Sequence, residues 1–172
     1  MAKEVVLKYH LHFLDYLILD LPPGTGDIQL SLSQFCQVTA ALLVTTPQEV
    51  SLLDVKKCLA MFDTLQIPVL GFIENMSFFH CMSCKAEQQI FKGRASDFLE
   101  DSFGLPLLAK IPLSADFSES FDLSKPLICK DKSHPVTLAY EQASYSFLKE
   151  LTRFKSLKTT ALSSFTLNWR SS

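Results

Sequence analysis

Two thiols stand two residues apart in Cys81-Met82-Ser83-Cys84. At that spacing both sulfurs can reach one metal centre from a single loop. A structural zinc or an iron–sulfur cluster usually takes four protein ligands, and this loop supplies two. Cys36, Cys58 and Cys129 fall in segments that read as core or as a distant loop. His80 is adjacent to the pair but is not read as a ligand. The economical completion is a symmetric dimer in which each subunit gives two thiolates to one shared centre. A redox dithiol is the competing reading, and such motifs belong where a strand meets a helix N-terminus. Here Ser77-Phe78-Phe79-His80 precedes the pair and Lys85-Ala86-Glu87 follows it. That context favours a metal or cluster over a redox pair or inert cysteines.

A second signal lies between Leu14 and Asp27. Tyr16-Leu17-Ile18-Leu19 is apolar without alternation, the pattern of a strand buried on both faces of a parallel sheet. Such a strand would put the Asp20 carboxylate at its carboxyl end, where open α/β sheets bind ligands. Pro22 and Pro23 stop the ladder because neither has an N–H to donate. Gly24 and Gly26 allow close backbone approach, and Asp27 can cap a following helix whose free amides suit an anion. An acid on a strand tip beside a glycine loop suits Mg²⁺ and a phosphate; an ordinary strand-to-helix turn uses the same residues. Asn75 follows another strand tip. Its carboxamide both donates and accepts, as an adenine edge requires and as a turn also exploits.

The elements that must position these groups follow from periodicity. Ile28 to Gln37 reads as a helix with Ile28, Leu32, Phe35 and the small core residue Cys36 on one face. Ala40 to Val44 is a buried strand. Thr46-Pro47-Gln48-Glu49 then predicts a helix start, with Thr46 as N-cap, Pro47 at the first position and Glu49 closing a capping box. That helix runs to about Leu65 and turns Val50, Leu53, Met61, Phe62 and Leu65 inward. Val69 to Ile73 is the third strand, Asp97 to Phe103 a short helix ended by Gly104, and Leu107 to Ile111 the fourth strand. Ser114 to Phe121 reads as one or two helical turns. Pro135 to Leu151 is a final helix with Val136, Ala139, Tyr140, Ala143, Phe147 and Leu151 inward. Alternating strands and helices imply right-handed crossovers and an α/β fold, a parallel sheet with helices on both faces.

Composition narrows the class. A chain of 172 residues with 48% hydrophobic content can bury a core. A net charge of −2 gives no general attraction to nucleic acid or an anionic membrane surface. No apolar run approaches the roughly 20 residues needed to span a bilayer. The amino terminus lacks the apolar core of a secretory signal. Five cysteines without an even framework point to a reducing compartment, by default the cytoplasm. Residues 1 to 13 could form an edge strand with His10 and His12 on one face, but no third ligand accompanies them. Residues 152 to 172 are basic and rich in Ser and Thr, and are expected to be a disordered tail.

Leu14 to Asp27 resembles the switch II segment (D-L-P-P-G-T-G-D) of the Mrp/ApbC-type iron–sulfur cluster carrier ATPases. These are deviant-Walker P-loop NTPases, a group that also includes the ParA/MinD proteins. The resemblance continues through Thr45 to Val50, Ile73 to Ser77, Cys81 to Cys84, Ile90-Phe91 and Ile111-Pro112-Leu113, and covers residues 14 to 151. It implies that Cys81 and Cys84 hold a bridging 4Fe–4S cluster between subunits. It also implies that Asp20 acts in the Mg²⁺ and water shell, that Gly24 senses the γ-phosphate, and that Asn75, Pro112 and Leu113 lie against the base of ATP. Two features depart from the family: Met82 stands where Pro usually follows the first Cys, and the usual Gly-rich stretch is Lys92-Gly93-Arg94-Ala95-Ser96.

The family's phosphate loop (K-G-G-x-G-K-[ST]) belongs well upstream of residue 14, and none of the five glycines here is followed by Lys and Ser or Thr. Phosphoryl transfer needs that backbone cradle and its Lys. Losing several charge-assisted contacts, at about 1.5–3 kcal/mol each, would leave ATP turnover very low. The expectation is therefore the carboxyl-terminal part of a three-layer P-loop NTPase-like domain that hydrolyses no ATP by itself. Its expected work is cluster binding and transfer, as a homodimer or paired with a full-length homologue, delivering to iron–sulfur apo-proteins without nucleic acid or membrane. The alternative is a non-catalytic metal-binding or dimerisation module. The C-x-x-C and the lack of an amphipathic membrane helix separate the chain from the partitioning ATPases.

Overall fold

A computed structural model describes residues 14–21, 26, 31, 36, 38–81, 83–84 and 86–160. Three parallel strands form its sheet: β1 (Ala41–Thr45), β2 (Val69–Glu74) and β5 (Leu107–Lys110), in the order β1-β2-β5. Between β1 and β2 runs helix α1 (Glu49–Thr64). Between β2 and β5 come a two-stranded antiparallel hairpin, β3 (Phe79–His80) with β4 (Glu87–Gln88), and helix α2 (Ala95–Phe103). After β5 follow α3 (Ala115–Asp122), α4 (Leu127–Lys130) and the long α5 (Pro135–Thr160).

Successive residues of β2 point to opposite faces, as pleating requires. Phe72 joins Leu43, Val55, Leu59, Phe62 and Leu99 in a core shared with α1 and α2. Ile73 packs on the other side with Ile111, Val136 and Ala143, under α5. Helices therefore cover both faces and the molecule has three layers. Gly71 sits where β5 approaches: a Cβ there would lie 2.6 Å from the Pro106 carbonyl oxygen, which accepts the Phe72 N–H at 3.0 Å. Gly104 ends α2 in the left-handed region with φ 63°.

Several sequence expectations require correction. Tyr16 to Leu19 is not a buried strand: residues 14–21 belong to no strand, and Ile18 is 88% exposed. Apolar patterning reports a preference for burial, whereas a strand needs a neighbouring ladder. The described ladder runs from β1 to β2 and on to β5, and leaves this run outside. Leu21 alone of this stretch packs against the core.

Helix α1 begins two residues later than its capping signature implies. Gln48 takes the N-cap position, while the Thr46 hydroxyl donates to Gln48 Oε1 at 2.7 Å and also bonds the Ser51 hydroxyl. Met61, Phe62 and Leu65 face the core as expected, together with Leu52, Val55 and Leu59, whereas Val50 and Leu53 are exposed. Cys129, expected in a loop, lies on α4, which the sequence reading did not anticipate. Helix α5 continues to Thr160, nine residues past the expected end at Leu151, so the first part of the supposed tail is helical. Val136, Ala143 and Leu151 are buried on it as expected, together with Thr137. The expected helix from 28 to 37, apart from positions 31 and 36, and the segment 1–13 lie outside the described residues.

Candidate functional site

The carboxyl ends of β2 and β5 lie side by side, and Asn75, Pro112 and Leu113 follow them there. Beyond Glu74 the chain turns through Asn75 and Met76. Met76 adopts φ 53°, a left-handed conformation unusual for a side chain with a Cβ. The Asn75 carboxamide oxygen steadies it by accepting the Met76 N–H at 3.0 Å, and the Asn75 N–H donates to the Thr45 carbonyl at 2.7 Å. The turn role of Asn75 is thus present, and its side-chain NH₂ is left to donate elsewhere.

Past that turn the chain runs beside the end of β5. Glu74 O accepts from Ile111 N at 2.9 Å, Ser77 N donates to Ile111 O at 3.0 Å, and Leu113 N donates to Phe78 O at 2.7 Å. Pro112 is buried within this seam and Leu113 half-buried. Asn75, Pro112 and Leu113 are therefore brought together. Asp20 is exposed at the end of the 14–21 segment. Gly24 lies outside the described residues.

The hairpin emerges from this same edge. His80 and Glu87 face each other in its register, and the Cys81 N–H donates to the Ala86 carbonyl at 2.9 Å. Cys81 is half-buried and Cys84 exposed, so both thiols sit on the turn that β3 and β4 project. The turn does not open a helix, since α2 starts only at Ala95. The geometry of a redox dithiol at a helix N-terminus is therefore lacking here. The His80 ring stacks edge-on against Phe78 at 5.0 Å. Among the described residues no group of three or more His, Cys, Asp or Glu side chains is placed to hold a metal ion.

Sequence reasoning missed Glu74. The side chain is 6% exposed, and its two carboxylate oxygens accept from the Ser77 and Ser96 hydroxyls. A buried carboxylate needs such donors. One donor is three residues away and the other 22, and the second leaves no mark in local pattern.

A parallel sheet covered by helices on both faces has the P-loop NTPase class of fold. Residues 1–147 match the family described as ParA, NUBPL iron-transfer P-loop NTPase, and the chain belongs to that family. It is 47% identical over 123 residues to the iron-sulfur cluster carrier protein of Aquifex aeolicus, an alignment covering 71% of this chain and 33% of that protein. Against the iron-sulfur cluster transfer protein NUBPL of Mus musculus the identity is 36% over 138 residues, covering 80% and 43%. The chain thus spans between a third and a half of the relatives it matches. The nucleotide-binding protein of Archaeoglobus fulgidus, solved in complex with ADP, superposes with a TM-score of 0.58 at 31% identity, covering 71% of this chain and 54% of that one. The cell division ATPase MinD of Pyrococcus furiosus gives 0.63 at 23% identity, covering 84% and 56%, a likeness of fold alone. No described helix is long and apolar enough to cross a membrane.

Proposed function

We propose that this chain is an iron–sulfur cluster carrier that holds a 4Fe–4S cluster between two copies of itself and passes it to apo-proteins. The cluster is cargo, and Cys81 and Cys84 are its ligands. The hairpin turn carries this reading: it presents two thiols on one turn, away from any described helix N-terminus, with Cys84 exposed. Two sulfurs per chain leave half the usual ligand set to be supplied from outside, which a two-fold pairing of hairpins provides. The relatives are named for cluster carriage and transfer, which supports the same reading. A full-length homologue could take the place of the second copy. The thiols imply a reducing compartment such as the cytoplasm.

Nucleotide is the second ligand of the proposal. Asn75 has a side-chain NH₂ to offer an adenine edge, with Pro112 and Leu113 beside it. Asp20 and Gly24 are assigned to the Mg²⁺ and γ-phosphate side, and hydrolysis by this chain alone is not part of the proposal.

Anaerobic reconstitution of the full chain with iron and sulfide, followed by absorbance and native mass measurement, tests the reading. The expected product is a coloured dimer with one 4Fe–4S cluster per two chains, lost in Cys81→Ser and in Cys84→Ser. A colourless monomer under iron-replete reducing conditions would overturn it. Bound zinc without iron or sulfide would replace it with a metal-holding dimerisation module.

A further inference from the structure

The hairpin that bears the cysteines is an excursion from the sheet, and its two ends must be held if the thiols are to be held. The entry leg is stitched to the end of β5 by the Ser77-to-Ile111 and Leu113-to-Phe78 backbone bonds. The exit leg passes over Pro47, where Gly93 comes so close that an added Cβ would lie 1.8 Å from the Pro47 carbonyl oxygen. It then enters α2 at Ala95 and Ser96.

Glu74, the last residue of β2, touches both legs at once: Ser77 on entry donates to Oε1 and Ser96 on exit donates to Oε2. All three residues are buried. An apolar side chain of similar size would fill this space but leave two buried hydroxyls without their acceptor, at a cost in stability. What a carboxyl adds is two directed acceptors that join chain segments far apart in sequence. We propose that Glu74 is a positioning residue for Cys81 and Cys84, clasping the two ends of the hairpin excursion so that the thiols are presented in one fixed geometry. It touches neither sulfur. The clasp closes the excursion at its base, and opening it enlarges the set of loop conformations the cysteines sample. What the positioning serves rests on the cluster-carrier reading above, but the clasp can be tested without any cluster.

The test is amide hydrogen exchange on the full apo chain, comparing Glu74→Leu, Glu74→Gln and Ser96→Ala with wild type. Leu fills the site without bridging. Gln keeps the shape and bonds both hydroxyls, accepting from one and donating to the other. Exchange at residues 79–88 should rise at least about tenfold in Glu74→Leu and Ser96→Ala, and stay within about twofold of wild type in Glu74→Gln. The Phe72 amide, in the core away from the clasp, should rise less than the hairpin amides in Glu74→Leu and Ser96→Ala. Should Glu74→Leu fail to fold, Ser96→Ala removes one leg by losing a single hydroxyl and decides the matter alone. Unchanged hairpin exchange in Ser96→Ala, or a rise no larger than that at Phe72, would overturn the clasp. Iron and sulfide loading of the wild-type chain is run in parallel. If the exchange differences hold and no cluster forms, the carrier reading falls and the clasp stands. If the cluster forms and exchange is unchanged, the clasp falls alone.

Discussion

Cys84 and Cys58 show how differently one residue type behaves in two places. Cys84 is exposed on the hairpin turn, whereas Cys58 packs against the core on α1. Burial pushes the Cys58 thiol pKa up; neighbouring Asp54 adds to this and Lys57 partly offsets it. The thiolate is the reactive form, so a raised pKa leaves less of it near neutral pH. Iodoacetamide at pH 7.5, read by peptide mass, should therefore label Cys84 before Cys58, and the reverse order would contradict this placement. The cysteine pair was legible from spacing, because two thiols on one loop are a local pattern. The turn role of Asn75 was legible for the same reason. Glu74 was not: a lone acid at the end of an apolar strand looks like the strand's polar terminus, and Ser96 reaches it only through the fold.

Among the elements, the exit leg of the hairpin depends on Gly93. Its closest neighbours are the backbone carbonyl of Pro47 and the Cα of Gln48, which cannot swing aside as a side-chain tip could. Gly93→Ala should cost about 1–3 kcal/mol in urea unfolding, the usual range for forcing a methyl into packed structure. A loss within experimental error would show that Gly93 is not pinned there. The identities of β1, β2, β5, α1, α2, α3 and α5 were readable from apolar runs and helical spacing, whereas β3, β4 and α4 are too short to show a period. Boundaries and faces were less so. At the start of α1, Thr46 and Glu49 match a capping box in sequence, yet the hydroxyl is taken by Gln48 and Ser51. On the same helix, apolar residues occur on several sides, so Val50 and Leu53 fit one stripe in sequence while Leu52 and Val55 form the real one.

For the molecule as a whole, Phe72 is the residue on which the first core converges. It is fully buried at the middle of the central strand, between α1 and α2. Phe72→Ala should cost about 3–5 kcal/mol in urea unfolding, and a loss under about 1 kcal/mol would place the core elsewhere. The parallel three-layer arrangement was legible because strands alternating with helices admit few topologies. The place of Tyr16 to Leu19 was not, because an apolar run says nothing about which ladder, if any, will receive it.

That same run has a tie to the far end of the chain. The Lys155 ammonium lies over the Tyr16 ring, 5.6 Å from its centroid, on the final turns of α5. An amine above an aromatic face is shifted magnetically by the ring current. The ε-methylene resonances of Lys155 would thus act as a remote gauge of the strip leading to Asp20, responding when that strip shifts although the lysine meets no ligand itself.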